Sequence, residues 1–205
     1  MGFYSKYVLP HLLDLAMRNR EQTRLRAEWL PRAQGDVLEI GIGSGLNLAF
    51  YSGAVRQLSG VDSSQELLAK AEKRARALPF GIELVHQSAE DALPFATASM
   101  DTVVMTWVLC SITQPDRALC EIRRVLKPEG QVIFLEHGRS AEERVARWQD
   151  RLTPAWKHIA GGCTLNRKID ELITSAGFRI NELSNEYMEG PRPMTYMYKG
   201  IAGPI

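Results

Sequence analysis

Val37-Leu38-Glu39-Ile40-Gly41-Ile42-Gly43-Ser44-Gly45-Leu46-Asn47 reads as a buried strand running into a glycine-rich turn and a helix start. Glycines lack a Cβ, so such a turn bends tightly and lets a ligand lie flat against the backbone. A helix following it would offer unpaired N–H groups and the positive end of its dipole to a carboxylate or a phosphate. The spacing narrows the ligand. A dinucleotide turn, G-x-G-x-x-G, needs glycine where Leu46 stands, and a phosphate loop needs a Gly-Lys-Ser/Thr that is missing here. Nicotinamide chemistry is disfavoured on this ground, and nucleoside triphosphate hydrolysis drops out.

The next strand ends Gly60-Val61-Asp62, followed by Ser63. A carboxylate at that strand end is placed to accept hydrogen bonds from both hydroxyls of a ribose. A third segment, Gln87 to Phe95, follows the third strand. There Ser88 and the backbone at Ala89 can meet an adenine edge, and Glu90 is either part of that contact or a solvated carboxylate. A glycine turn or a strand-end acid alone is common in α/β proteins; the two in this order favour an adenosine-bearing ligand.

Outward from the turn, short apolar runs alternate with helical patterns, which argues for a parallel sheet covered by helices. Strands are expected at Asp36–Ile40, Leu58–Val61, Ile82–His86, Asp101–Thr106 and Gln131–Glu136, with a turn at Lys127–Gly130 before the fifth. Arg117 to Leu126 places Ala118, Leu119, Ile122, Val125 and Leu126 on one helical face, with Glu121, Arg123 and Arg124 outward. Asn166 to Ala176 is helical, Gly177 closes it in the left-handed conformation, and Phe178–Leu183 and Met194–Ile201 are two closing strands. Met1 to Leu30 and Ala141 to Lys157 are further amphipathic helical stretches. Val145, Trp148, Leu152 and Trp156 recur at helical spacing, the mark of core positions.

The composition sets the frame. At 205 residues the chain fits one domain, 1–205, with a helical cap at 1–30 and an inserted helix at 141–160. Hydrophobic residues at 45% and charged ones at 24% suit a soluble globular protein. The 25 Lys and Arg nearly match 24 Asp and Glu, so no global field favours nucleic acid. Cys110, Cys120 and Cys163 lie in segments expected to be buried or half-buried and show no CxxC pair. Neither a disulfide framework nor a metal site is therefore expected, and a cytoplasmic location is. The start lacks a secretory signal, and no stretch reaches the roughly 18 apolar residues of a spanning helix.

With these motifs in hand, the chain resembles the class I S-adenosylmethionine methyltransferases of the UbiE-like superfamily. The match rests on the glycine turn, the strand-end Asp62, the "AEDALPF" segment and "LKPEGQVIFLEHG". The resemblance implies a Rossmann-like α/β fold, with a seven-stranded sheet of order 3-2-1-4-5-7-6, strand seven antiparallel, and helices on both faces. It implies S-adenosylmethionine as cofactor, with S-adenosylhomocysteine as product. Glu39 and Gly41 would then lie near the methionine end, Gly43, Gly45 and Asn47 against the cofactor, and Asp62 with Ser63 at the ribose. Ser88, Ala89 and Glu90 would take the adenine, and Thr106 and Trp107 would face the cofactor amino group.

On the acceptor side, Thr106-Trp107-Val108-Leu109-Cys110-Ser111-Ile112, Leu135-Glu136-His137, Trp148-Gln149, Pro154-Ala155-Trp156 and Gly162 to Arg167 resemble the methyltransferase-like 7 group, similar to alkyl thiol S-methyltransferases. That group carries an apolar anchor before its core, and this chain begins with an amphipathic stretch; peripheral membrane contact and oligomeric state stay open. The implied acceptor is a small-molecule thiol. His137, just past the end of strand five, is the candidate base, since a histidine exchanges protons near neutral pH. The alternative for it is a supporting residue bonded to a loop, and His11 and His158 are weaker candidates. A lipid-like acceptor, quinone carbon or ethanolamine nitrogen, would share the cofactor half, with Arg139, Arg144 and Arg147 as a headgroup cluster. A cofactor-binding protein without catalysis is the remaining reading. Trp107, Trp148 and Trp156 either shape an apolar pocket or face the sulfonium with their rings. Phe3, Tyr4, Tyr7, Val8, Leu12, Leu13, Leu15, Ala16 and Met17 either form an apolar wall over the cofactor or pack the first helix on the core, and packing is expected for most of them.

Overall fold

The computed structural model describes residues 8–76, 78 and 81–205. Seven strands form one sheet in the order β3-β2-β1-β4-β5-β7-β6. They are β1 (Gly35–Ile40), β2 (Val55–Asp62), β3 (Ile82–His86), β4 (Met100–Thr106), β5 (Leu126–His137), β6 (Phe178–Tyr187) and β7 (Tyr196–Pro204). The pairs from β3 through β5 are parallel, and β7 runs antiparallel to both β5 and β6. The expected order and the reversed last strand are thus both present.

Six helices accompany the sheet among the described residues: α1 (Leu9–Ala16), α2 (Arg20–Trp29), α3 (Gln65–Ala75), α4 (Pro115–Val125), α5 (Glu143–Ile159) and α6 (Ile169–Ser175). Alternate side chains of β1 explain the two layers. Val37 joins Leu25, Trp29 and Leu68 on one face, while Leu38 and Ile40 join Leu119, Ile122, Ile169 and Ile173 on the other. On α4 the residues Ala118, Leu119, Ile122 and Val125 are buried as the helical spacing demands. Gly177 does close α6 with φ +84°.

Four expectations need correction. No α-helix follows the glycine turn: Leu48–Phe50 makes one 3-10 turn, and the chain enters β2 at Val55. The stretch is too short for a helix between the turn and β2, so no helix dipole points at the turn from this crossover. Lys127–Gly130 does not precede β5; it bulges out within it, between the pairings Met100↔Leu126 and Thr102↔Gln131. Trp148 is not core but 49% exposed on α5, which buries Val145, Ala146 and Gln149 instead. Cys120 is exposed on the outer side of α4.

The first helical stretch is two helices, α1 and α2, and the former reverses the usual pattern. It buries Pro10 and Asp14 and leaves Leu12 and Leu15 exposed, as is Val8 just before it. The packing expected of those three is therefore absent, because α1 is held to the body by polar bonds described below. Phe3, Tyr4 and Tyr7 lie outside the described residues. Among the described residues no helix is long and apolar enough to cross a membrane.

Candidate active site

The parallel strands β1, β2 and β4 end together, and the glycine turn leaves β1 along this edge. Gly41, Gly43 and Gly45 all have left-handed backbones, with φ of +68°, +55° and +77°. Their surroundings differ. A Cβ on Gly41 would meet Val108 Cγ2 at 2.3 Å and one on Gly45 would meet Leu48 Cδ1 at 2.8 Å. At Gly43 the nearest atom would be the Gly41 carbonyl oxygen at 3.8 Å. Two glycines thus let the turn pack, and the third borders open space.

Asp62 stands beside that space. Its Oδ2 accepts the Gly43 N–H at 2.8 Å and its Oδ1 the Ser64 N–H at 2.8 Å. Burial raises its pKa above the usual carboxylate range, against the pull of those two amides. Each carboxylate oxygen keeps a further lone pair, the capacity that a ribose diol would use. Ser63 is exposed, its carbonyl 3.1 Å from His86 Nε2, and it is Ser64 whose hydroxyl caps α3 at Leu67.

Beneath the turn a buried polar network fixes β1 to β4. Asn47 Nδ2 donates to Glu39 Oε1 at 2.7 Å and to Thr106 Oγ1 at 2.9 Å, while its Oδ1 accepts from Arg26 Nε at 2.8 Å. The Tyr51 hydroxyl donates to Glu39 Oε2 at 2.7 Å. Burial pushes the Glu39 carboxyl up to about 7 despite these donors and the nearby Arg26. Burial likewise lowers Arg26 to about 10. Asn47 therefore has both amide hydrogens engaged within the protein, and Thr106 is bonded to it.

A second network holds α1 over the turn. Asp14 accepts from Ser44 Oγ at 2.5 Å and from Arg74 Nη2 of α3 at 2.9 Å, and it is paired with Arg18. Arg74 also donates to the Ser44 carbonyl. Burial alone would raise the Asp14 carboxyl, but the hydrogen bonds from Ser44, Arg18 and Arg74 outweigh it and hold it at about 2.

The loop after β3 meets the loop after β4. Ser88 Oγ accepts the Glu90 N–H at 3.2 Å, Glu90 Oε1 accepts the Thr113 N–H at 2.9 Å, and Ala89 packs against the core. Glu90 thus links the two loops from a half-buried position.

Past β4 the acceptor side begins. Trp107 has φ +51°, a costly backbone for a side chain of its size, and its N–H donates to the Leu135 carbonyl at 2.8 Å. The Arg26 guanidinium lies 4.9 Å from the centre of its ring. Glu136 on β5 accepts the Val108 N–H at 3.0 Å and the Cys110 N–H at 3.3 Å. Burial raises it to about 7, with the amides of Leu109, Val108 and Cys110 pulling the other way.

His137, next on β5, is 5% exposed, with Nδ1 4.0 Å from Cys163 Sγ and Nε2 buried without a hydrogen-bond partner. The indole nitrogens of Trp107 and Trp156 are buried and unpartnered as well. His158 is exposed, and His11 is exposed beside Lys70. Arg139 is tied to Asp150 by two bonds, at 2.6 and 3.1 Å, while Arg144 and Arg147 are exposed on α5.

The structure thus brings Glu39, Gly41, Gly43, Gly45, Asn47, Asp62, Thr106 and Trp107 to one edge and sets Ser63 aside on the surface. Sequence reasoning missed Asp14, Arg26, Tyr51, Glu136 and Cys163. Only the last two lay in stretches that the motifs marked; the others carry no local pattern.

The open backbone at Gly43, next to an acid with spare lone pairs, fits an adenosine-bearing cofactor. Comparison with known proteins agrees. The family described as "Methyltransferase domain" matches residues 38–134. The chain is 32% identical to the thiol S-methyltransferase TMT1B of Homo sapiens over 96% of its length and 82% of that protein's. It is 36% identical to a phosphatidylethanolamine N-methyltransferase of Cereibacter sphaeroides, over 50% of this chain and 51% of that one. Among solved structures it resembles a SAM-dependent methyltransferase of Methanosarcina mazei, with a TM-score of 0.65 and 22% identity over 85% of this chain and 94% of that one. With a relative matched along nearly the whole chain and the strand order of a methyltransferase sheet, this chain belongs to the S-adenosylmethionine-dependent methyltransferases and uses that cofactor.

Proposed function

We propose that the chain is an S-methyltransferase acting on a small thiol, with His137 taking the thiol proton. The observation that carries this is the buried, unpartnered Nε2 of His137 at the carboxyl end of β5. A buried nitrogen without a partner costs free energy until a ligand supplies one. The likeness to a human thiol S-methyltransferase supports the choice of acceptor.

In this reading Gly43 and Asp62 hold the adenosine end, and the loop at Ser88, Ala89 and Glu90 borders the adenine. Glu39, Asn47 and Thr106 set the methionine end indirectly, by fixing β1 against β4 under the turn. Bound S-adenosylmethionine supplies an electrophilic methyl group on a sulfonium. The residues of the acceptor side have a modest task, because a thiolate is already a strong nucleophile. They exclude water, align the sulfur with the methyl carbon and accept one proton at Nε2. A thiol of ordinary pKa, about 8.5, is only partly ionised near neutrality, so that proton matters most at lower pH.

A lipid headgroup fits less well. Arg139, the member of the basic cluster nearest β5 in sequence, is already paired with Asp150. The test is formation of S-adenosylhomocysteine by the purified chain with hydrogen sulfide, short alkyl thiols, a quinol analogue and phosphatidylethanolamine vesicles. Turnover is expected with the thiols. Turnover confined to the lipid acceptors overturns the acceptor assignment, and turnover with none, despite cofactor binding, favours a non-catalytic role.

A further inference from the structure

Cys163 and Cys110 come from loops far apart in sequence and are pinned together by the backbone. Thr164 donates its N–H at 2.9 Å and its hydroxyl at 2.8 Å to the Cys110 carbonyl. The loop before it turns through two left-handed glycines, Gly161 and Gly162, which swing Cys163 under the end of β5. There its sulfur lies 4.0 Å from His137 Nδ1, and it faces the Cys110 thiol. The two cysteines differ in access, since Cys163 is half-buried and Cys110 is 2% exposed.

They differ in ionisation too. The Cys110 thiol and then His137 pull Cys163 below the ordinary thiol range, while Cys163 and burial push Cys110 above it. A half-buried thiol with a lowered pKa beside a fully buried thiol with a raised one is the asymmetry that favours thiol–disulfide exchange. Neither cysteine contributes to the cofactor end, and methyl transfer leaves both unused.

We propose that Cys163 and Cys110 form a thiol–disulfide exchange pair that reduces a small-molecule disulfide on the acceptor side of the sheet. The Cys163 thiolate attacks one sulfur of R–S–S–R′, forming a mixed disulfide and expelling R′–S⁻. That anion takes the Cys110 proton, and the Cys110 sulfur then attacks Cys163, closing the internal disulfide and releasing R–S⁻. The substrate disulfide gains two electrons and the cysteine pair loses them. An external low-molecular-weight thiol resets the pair. A disulfide handled this way leaves a thiolate beside the site proposed to methylate thiols, but the exchange stands without that assignment.

The test uses the full chain and oxidised glutathione as probe, without S-adenosylmethionine. After timed exposure, free thiols are alkylated and the peptides identified by mass spectrometry. Exposed Cys120 is the reference within the same molecule. Cys163 is expected to react at least about tenfold faster than Cys120 below pH 7, where an ordinary thiol is protonated. Wild-type protein is expected to end with Cys110 joined to Cys163, and Cys110→Ser to stop at glutathione on Cys163. Equal rates at Cys163 and Cys120 in wild-type protein, or a mixed disulfide that persists with Cys110 present, overturn the proposal whatever the variants do. Neither result bears on methyl transfer, so failure here is distinct from failure of the thiol acceptor.

Discussion

Around the glycine turn, the buried polar side chains have their hydrogen bonds made. Asp14 answers Ser44 and Arg74, Asn47 answers Arg26, Glu39 and Thr106, and Asp62 answers two backbone amides. Past β4 and β5, the ring nitrogens of Trp107, Trp156 and His137 are buried with no partner, and Trp29 Nε1 on α2 is the fourth such atom among the described residues. Fully satisfied buried networks rigidify, whereas unpartnered polar atoms hold a cost that a ligand can remove. On the proposed reading, the cofactor end is built in advance and the acceptor end is completed by what binds there.

The largest expected effect tests the prebuilt half. Gly41→Ala sets a Cβ 2.3 Å from Val108 Cγ2 on a left-handed backbone. It should cost about 3 kcal/mol or more in stability, read as a lowered midpoint of denaturant unfolding. Gly43→Ala meets no protein atom closer than 3.8 Å and should cost only about 1 kcal/mol, for its backbone. Its main loss should be cofactor affinity, measured by calorimetry. Equal stability losses at the two positions would erase the distinction between a packed glycine and a ligand-facing one.

Next is Asp62→Ala. Removing a charged acceptor should weaken cofactor binding by about 1.5 to 3 kcal/mol. Because Asp62 also holds the amides of Gly43 and Ser64, part of that loss comes from a loosened turn. An unchanged dissociation constant in a folded variant would remove the ribose assignment.

How much of this contrast could be read from the chain follows from range. The order of the strands and the glycine turn rest on local patterns, and both are present in the structure. Asp62 was legible because strand, acid and helix start are consecutive. Asp14 and Arg26 were not, since their partners Ser44, Arg74 and Asn47 are set by how α1 and α2 lie on the sheet. The missing helix after Gly45 was hidden because Leu46 to Phe50 carry helix-forming residues, and only the early start of β2 at Val55 denies them room. Trp148 misled because its spacing of three from Val145 sets it only on the flank of the buried stripe, which runs through Val145, Ala146 and Gln149. Cys163 lies in a quoted segment, yet its closeness to His137 and Cys110 exists only once three loops meet.

A further effect links the two halves through their buried acids. Glu136 is raised from 4.5 to about 7, so the folded chain holds this proton more tightly than the unfolded one. Its contribution is fully present below pH 4.5 and is lost as pH rises through about 7, a decline on the order of 3 kcal/mol. Glu39 adds a slope of the same sign. Denaturant unfolding between pH 4.5 and 8 should show stability falling, and Glu136→Gln should flatten part of the fall. A variant with the wild-type slope would place Glu136 at an ordinary carboxylate value.

The smallest effect is the one that most sharpens the reading of the acceptor half. If Nε2 of His137 receives the acceptor's proton, His137→Ala should slow turnover of an alkyl thiol about tenfold near pH 6.5. It should cost little near pH 9, where a thiol of pKa about 8.5 is mostly ionised unaided. A loss of equal size at both values means that the ring acts through position, holding Cys163 and the end of β5 in place. In that case the unpartnered nitrogen is a feature of packing. The contrast between a finished cofactor site and an acceptor site awaiting its ligand would then rest on Trp107 and Trp156, whose donors cannot take up a proton at all.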